Sequence, residues 1–362
     1  MYRYHVKFQN LTHLKALKEP VLITGHTGFK GTWLTLILEK LGIEVVGYSL
    51  KPELDNLFCK LGREGKIFES FSDLRDQAQI SNFIKQVKPS VVFHLAAQPL
   101  VLDSYLNPKE TFEVNVMGTV NLFEACKEIS STKAILTTTT DKVYSNLNLG
   151  SKFKETDPLF GKDPYSASKV AVENVISAYS NLFSQFSETH ITSLRSGNVI
   201  GGGDISKNRL IPDLVRAFSS NSKAQIRNPG STRPWQHVLD PLHGYLLSAE
   251  ASINDEIFSS INFGPTDESL TVEQVAKIAV ETWGDSAAYE IVNENSDLES
   301  KTLDLDSNFA RRKLEWEPIW NQKESVKRAV SWWKDIFDKK VSILEATESD
   351  LEELMKIMSG NK

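Results

Sequence analysis

The sequence predicts an α/β protein built on a doubly wound parallel sheet, and three observations predict it. From residue 21 onward, short apolar runs alternate with stretches of helical periodicity. The first run opens through three spaced glycines directly into a helix, Val21-Leu22-Ile23-Thr24-Gly25-His26-Thr27-Gly28-Phe29-Lys30-Gly31. A chain of 362 residues, 40% apolar and 24% charged, is also long enough for a large core and a second lobe.

Taken in order, strands are expected at 21–24, 43–49, 66–70, 91–95 and 134–138, each short and bounded by polar residues or glycine. Amphipathic helices are expected at 30–41, 76–87, 111–127 and 163–183, because parallel strands need crossovers between them. A sixth strand follows at 193–200. Residues 201–235 are then rich in Gly, Asn, Pro and Arg and read as a binding region of loops. A helix at 239–251, a strand at 260–263 and helices at 271–282 and 324–337 complete the pattern. With no repeat and no low-complexity tether, the second lobe is expected to be woven into the first. A dinucleotide-binding part is expected at 20–200 plus 233–263 and a substrate lobe at 201–232 plus 264–340. The tail, 341–362, carries Leu344, Leu351, Leu354 and Met355 at helical spacing among acidic residues and is expected to be frayed or loosely packed.

Composition excludes several classes. A net charge of −6 with no basic block argues against a nucleic-acid partner. Cys59 and Cys126 have neither zinc spacing nor enough partners for a disulfide framework, which suits a reducing compartment, and no metal is expected. Residues 1–20 lack a continuous apolar segment, and no run approaches a membrane span, so a cytoplasmic protein without a membrane partner is expected.

The glycine turn is the signature of a dinucleotide's phosphates. Gly25 permits the tight turn, Gly28 lets the backbone approach a pyrophosphate, and Gly31 allows the helix to pack on the strand; Thr27, Phe29 and Lys30 complete the segment. The acidic residue that often follows the second strand is missing from Gly47-Tyr48-Ser49-Leu50-Lys51. Ser49 is the expected ribose contact, and Lys51 leaves a phosphorylated ribose open. Asp73, with Leu74, either reads the adenine or caps the helix that begins near Asp76. Downstream, Tyr165 and Lys169 stand four residues apart on one helix face, where the ammonium can depress the phenol's pKa. Thr140, Asp141 and Lys142 follow a buried strand and emerge at the carboxyl edge of the sheet, where ligands of open α/β sheets bind.

Together these motifs resemble the extended short-chain dehydrogenase/reductase (NAD-dependent epimerase/dehydratase) family over about 21–337. Thr-Gly-His-Thr-Gly-Phe-Lys-Gly at 24–31, Thr-Asp-Lys-Val-Tyr at 140–144 and Arg-Pro-Trp-Gln-His-Val at 233–238 resemble its sugar-nucleotide 4,6-dehydratases acting on CDP-hexoses. The resemblance implies a Rossmann-type fold with a smaller, interwoven α/β substrate-binding lobe, and NAD as cofactor. It implies that Tyr165 takes the O4 proton of a hexose, Thr140 polarises the C4 oxygen, Asp141 protonates the departing O6 and Lys142 removes the C5 proton. Lys142 replaces the glutamate of related dehydratases, so it must be largely neutral to act as a base.

Leu95, Ala96 and Ala97 are implied to line the nicotinamide ribose, Gln98 to face the sugar, and Asn198, Arg209, Arg233 and His237 to hold the nucleotide sugar. Arg227 reads better as a solvated surface residue, and His94 as a buried, hydrogen-bonded strand residue. The helices at 111–127 and 163–183 resemble those that pair in family homodimers. Two other functions compete: a sugar-nucleotide 4-epimerase, which needs no acid and base at C5 and C6, and a non-catalytic dinucleotide sensor.

Overall fold

In the computed structural model, which describes residues 11–148, 150–292 and 301–359, a seven-stranded, wholly parallel sheet forms the centre. The first ten residues and the last three lie outside the described residues, as do 293–300 within the expected substrate lobe. The chain runs through β1 (Val21–Thr24), α1 (Phe29–Lys40), β2 (Val45–Ser49), β3 (Phe68–Phe71), α2 (Gln77–Val87), β4 (Val91–His94) and β5 (Ala134–Thr138). After these come α3 (Pro164–Phe186), β6 (His190–Ser196), α4 (Leu239–Ile253), β7 (Ser260–Phe263) and finally α5 (Ile343–Met358). The sheet order is β7-β6-β5-β4-β1-β2-β3. Strand order therefore reverses between β1 and β4, and the crevice outside their carboxyl ends is where such a sheet binds ligands.

Residues β1, β2, β4 and β5 are buried throughout, which explains their unbroken apolar runs. One core packs on each sheet face, with Trp33, Leu242 and Trp316 on one side and Val46, Phe83 and Leu122 on the other. A third core, including Leu214, Phe218, Trp283 and Val330, joins helices Leu210–Ser219, Val272–Trp283 and Gln322–Phe337 around the paired strands Lys223–Ile226 and Ala288–Ile291.

Three predicted elements take a different form. The helix expected at 111–127 is interrupted by a π turn, Glu113–Met117. The wide turn directs Asn115 inward, where its amide donates to the Gln98 carbonyl at 3.1 Å and to Ser168 Oγ at 2.8 Å, and its oxygen accepts from Gln98 N at 2.8 Å. The strand expected at 193–200 divides at Gly197. Asn198–Ile200 leaves the sheet to pair in parallel with Trp235–His237, and the close approach needs glycine at 197, where a side chain would lie 2.3 Å from Pro234 Cγ.

The tail is docked, not frayed. Ser342 caps α5 in a reciprocal box with Glu345, Lys40 meets Glu348 at 2.5 Å, and Leu351 and Leu354 are fully buried in the core that contains Leu38 and Trp316. Burying two leucines stabilises the docked helix by roughly 3–6 kcal/mol before ordering costs. Its contacts come from the preceding helix Gln322–Phe337 and from residues far upstream such as Leu38 and Lys40, so spacing within the tail alone could not reveal it. No helix among the described residues is long and apolar enough to cross a membrane.

Candidate active site

A cleft of about 740 Å³ opens at the carboxyl ends of the sheet strands, between them and the third core. Its floor begins with the glycine turn. Gly25 has φ +75°, and a side chain there would lie 2.8 Å from Ala96 N; at Gly31 a Cβ would lie 2.0 Å from the Gly25 carbonyl oxygen. Only hydrogen fits at either place, so the turn can hug α1 and bring its backbone against a ligand. Gly28 caps α1 without any side-chain partner for the first N–H groups, which leaves them and the helix dipole directed at an anion in the cleft. This cradle fits a dinucleotide's diphosphate.

Thr27 and Ser49 share a 2.7 Å hydrogen bond on the cleft wall, placing the Ser49 hydroxyl beside the turn, whereas Lys51 is exposed and is not part of the lining. Asp73 and Leu74 also line the cleft. Arg75 grips the Asp73 carboxylate through its backbone N–H at 2.8 Å and its guanidinium at 2.6 Å, which holds that carboxyl below its ordinary range. The alternative role as helix cap falls to Asp76, whose side chain accepts from Gln79 N. Leu95, Ala96 and Ala97 follow β4 along the same wall.

Beyond them the chemistry-bearing groups converge. Asp163 caps α3 with Ser166 in a reciprocal box and Pro164 sets its first turn, which fixes Tyr165 and Lys169 on the cleft side. The sharp turn 140–142 after β5 brings Thr140, Asp141 and Lys142 into the same space. Thr140 Oγ1 donates to Asp141 Oδ1 at 3.0 Å and accepts from Lys142 N at 3.3 Å. Asp141 Oδ2 is buried without a partner, and burial raises the carboxyl above its ordinary pKa despite Lys142, Arg233 and Lys30. An unpaired oxygen on a carboxyl that burial tends to protonate is suited to giving a proton to a ligand.

Tyr165 and Lys169 line the same cleft. Lys169 Nζ donates to the Thr138 carbonyl at 3.0 Å, and burial lowers its pKa to about 8. Burial pushes Tyr165 up to about 12; hydrogen bonding to Thr140 and the field of Arg209 pull the other way.

Two residues expected to touch the substrate lie outside the cleft lining. Gln98 is not in the cleft lining; its amide closes a local loop, donating to Leu100 O at 3.1 Å and Thr111 Oγ1 at 2.9 Å. His237 is fully buried, edge-on to Trp320 at 4.8 Å and 3.7 Å from Asp350 of α5, so it organises the strand behind Arg233 and does not reach the cleft. Conversely, Arg227 lines the cleft alongside Asn198, Arg209 and Arg233 instead of standing in solvent, because Lys223–Ile226 ends there. Arg209 lies 3.6 Å from Asp204. As expected, His94 is buried between Thr24 Oγ1 at 2.7 Å and Thr119 Oγ1 at 2.9 Å, and burial lowers its pKa to about 3.

Sequence reasoning missed the support behind the turn. Arg195 makes a bidentate pair with Glu173 of α3, at 2.9 and 2.8 Å, and donates to Tyr144 Oη at 2.9 Å; Thr139 donates to the same carboxylate at 2.6 Å. This buried network clamps the residues on either side of 140–142. Glu173 falls eight residues after Tyr165 and four after Lys169, a helical spacing that could have pointed to it.

Comparison with known proteins places this site in a class. The family model described as GDP-mannose 4,6 dehydratase matches residues 22–336, and the chain belongs to that family, within the extended short-chain dehydrogenases/reductases. Among individual relatives, it is 44% identical over 324 residues to a CDP-glucose 4,6-dehydratase of Salmonella typhimurium, covering 87% of this chain and 90% of that protein. A dTDP-glucose 4,6-dehydratase of Xanthomonas campestris is 24% identical, with 86% and 92% covered. In fold, the chain is similar to a Thermus thermophilus UDP-glucose 4-epimerase solved in complex with NAD, with TM-score 0.75, 23% identity and 89% and 100% covered.

Proposed function

We propose that the protein is an NAD-dependent hydro-lyase that converts CDP-glucose to CDP-4-keto-6-deoxyglucose. The observation that carries this reading is the buried, half-partnered Asp141 carboxyl in the same cleft as Tyr165. A 4-epimerase needs the tyrosine but no such acid, and a sensor needs neither. Identity to the Salmonella enzyme supports the cytidine and glucose assignments.

The glycine turn and the N-terminus of α1 would hold the cofactor's diphosphate, and Ser49, Asp73, Leu95, Ala96 and Ala97 would line the rest of its site. When bound, NAD would supply reversible hydride transfer, out of C4 and back into C6 of the hexose. Tyr165, as the phenolate, would receive the O4 proton, and Thr140 in the same cleft would polarise the C4 oxygen. The resulting ketone acidifies C5. Lys142, half-buried beside Asp141, would remove the C5 proton as the neutral amine, while Asp141, as the protonated acid, would give its proton to O6 as it leaves as water. Asn198, Arg209, Arg227 and Arg233 hold the sugar nucleotide's diphosphate, for which guanidinium groups donate paired hydrogen bonds.

Turnover of CDP-glucose in deuterium oxide is expected to give a 4-keto-6-deoxy product carrying deuterium at C5, read by mass spectrometry and proton NMR. Recovery of a C4 epimer with hydrogen retained at C5 rules the dehydratase reading out. A panel of CDP-, dTDP-, UDP- and GDP-glucose tests the base.

The protein works as a cytoplasmic homodimer in this reading. Tyr105, Leu106, Phe112 and Met117 expose large apolar side chains on the helical run 101–117, next to α3, which supports self-association there. Light scattering at micromolar concentration is expected to give twice the chain's 40.7 kDa mass; a monomer contradicts it.

A further inference from the structure

Gly197 lines the cleft where β6 ends and Asn198–Ile200 turns off to pair with Trp235–His237, so Pro234 is its neighbour on the adjacent strand. Its φ lies outside the left-handed region, and backbone strain does not call for glycine there. Space does. A Cβ at 197 would lie 2.3 Å from Pro234 Cγ, 3.0 Å from the Pro234 carbonyl oxygen and 3.1 Å from Asp141 Oδ2. The first two contacts concern only how two strands approach each other. The third reaches the group that carries the dehydratase reading.

Oδ1 of Asp141 accepts from Thr140, whereas Oδ2 has no hydrogen bond to hold it. Packing therefore decides where Oδ2 points, and the bare face of Gly197 is part of what it packs against. Pro234, on the other side of the same gap, follows Arg233, a cleft cation whose field reaches Asp141. One missing side chain thus lets the acid after β5 and the strand that carries the arginine close on a single point.

We propose that Gly197 is a positioning residue for the elimination: its bare backbone holds the Asp141 carboxyl and the Arg233–Pro234 strand at the spacing at which a hexose anchored through its diphosphate presents O6 to Asp141 Oδ2. This inference rests on the dehydratase reading. In that step Lys142 takes the C5 proton, the electron pair of the C5–H bond becomes the C5–C6 double bond, and the C6–O6 bond breaks as O6 leaves as water with the proton of Asp141. Oxidation at C4, where Tyr165 takes the proton, does not pass through Oδ2. A methyl group at 197 therefore acts on water loss and on substrate affinity and spares cofactor binding.

The test compares the wild type, Gly197→Ala, Pro234→Ala and the double variant, with thermal melts to confirm folding. Gly197→Ala carries both the ring contact and the carboxyl contact. It is expected to raise KM for CDP-glucose about tenfold and to slow water loss about 10–100-fold, so that reduced cofactor accumulates in a single turnover. Replacing the pyrrolidine ring removes the 2.3 Å contact and leaves the 3.1 Å contact with Oδ2. The double variant is therefore expected to bring KM back to within about threefold of that of Pro234→Ala while reduced cofactor still accumulates, and the affinity for NAD+ is expected to stay within about twofold throughout. A merely structural role at 197 lowers the melting temperature without moving this partition between cofactor reduction and water loss. A double variant that loses water as fast as Pro234→Ala, with no reduced cofactor built up, overturns the proposal. If the wild type dehydrates CDP-glucose, that result removes the role of Gly197 alone; if the wild type does not, the dehydratase reading itself has failed.

Discussion

Replacing Tyr165 by Phe is expected to lower kcat by about 10²–10⁴-fold while leaving the affinities for NAD and CDP-glucose within a few-fold of wild type. The ring of Tyr165 is 8% exposed and Phe keeps its packing. Thr140 retains its bonds to Asp141 and Lys142, so the turn does not collapse. What disappears is the only hydroxyl on α3 positioned to receive the O4 proton, and without it hydride cannot leave C4 without building an unfavourable cationic carbonyl. Steady-state turnover, paired with calorimetric binding, checks the split. A variant that keeps a tenth or more of wild-type kcat removes Tyr165 from the mechanism.

Asp141→Asn is expected to separate the two halves of the reaction. The amide oxygen still accepts from Thr140, so the geometry at Tyr165 survives and C4 oxidation proceeds. Protonation of O6 is lost, and release of water is expected to slow by about 10²–10⁴-fold. The reduced cofactor then accumulates to one equivalent per site in a single turnover, visible in the near-ultraviolet, with the 4-keto hexose still carrying its C6 hydroxyl. Normal product formation without that accumulation would falsify the assignment of Asp141 as the acid. The same experiment discriminates an epimerase, whose turnover does not depend on this carboxyl.

Much of the architecture was legible because it rests on local rules. The strands β1, β4 and β5 coincide with apolar runs since both faces of a parallel sheet are covered, and α3 begins where Asp163-Pro164 says it must. The glycine turn was equally readable, because the absence of a side chain is the only solution to its close contacts. Departures appeared where a distant partner decides. The π turn at Glu113–Met117 exists to aim Asn115 at Gln98 and Ser168, and neither neighbour is visible from the helix's own periodicity. Gln98 and His237 were assigned to the substrate from motif position, but each has its polar atoms or ring engaged by groups from other elements.

By itself the sequence determined the class of fold and the glycine turn, and it pointed to the groups proposed to handle protons, because hydrophobic period, glycine sterics and side-chain chemistry are properties of neighbouring residues. Tertiary structure alone decided their strengths and alliances. Burial raises Tyr165, Arg227 lines the cleft, and α5 docks onto the core. The reason is physical: desolvation and Coulomb interaction depend on what the whole chain brings within a few ångströms, and that distance is written in no single stretch of residues.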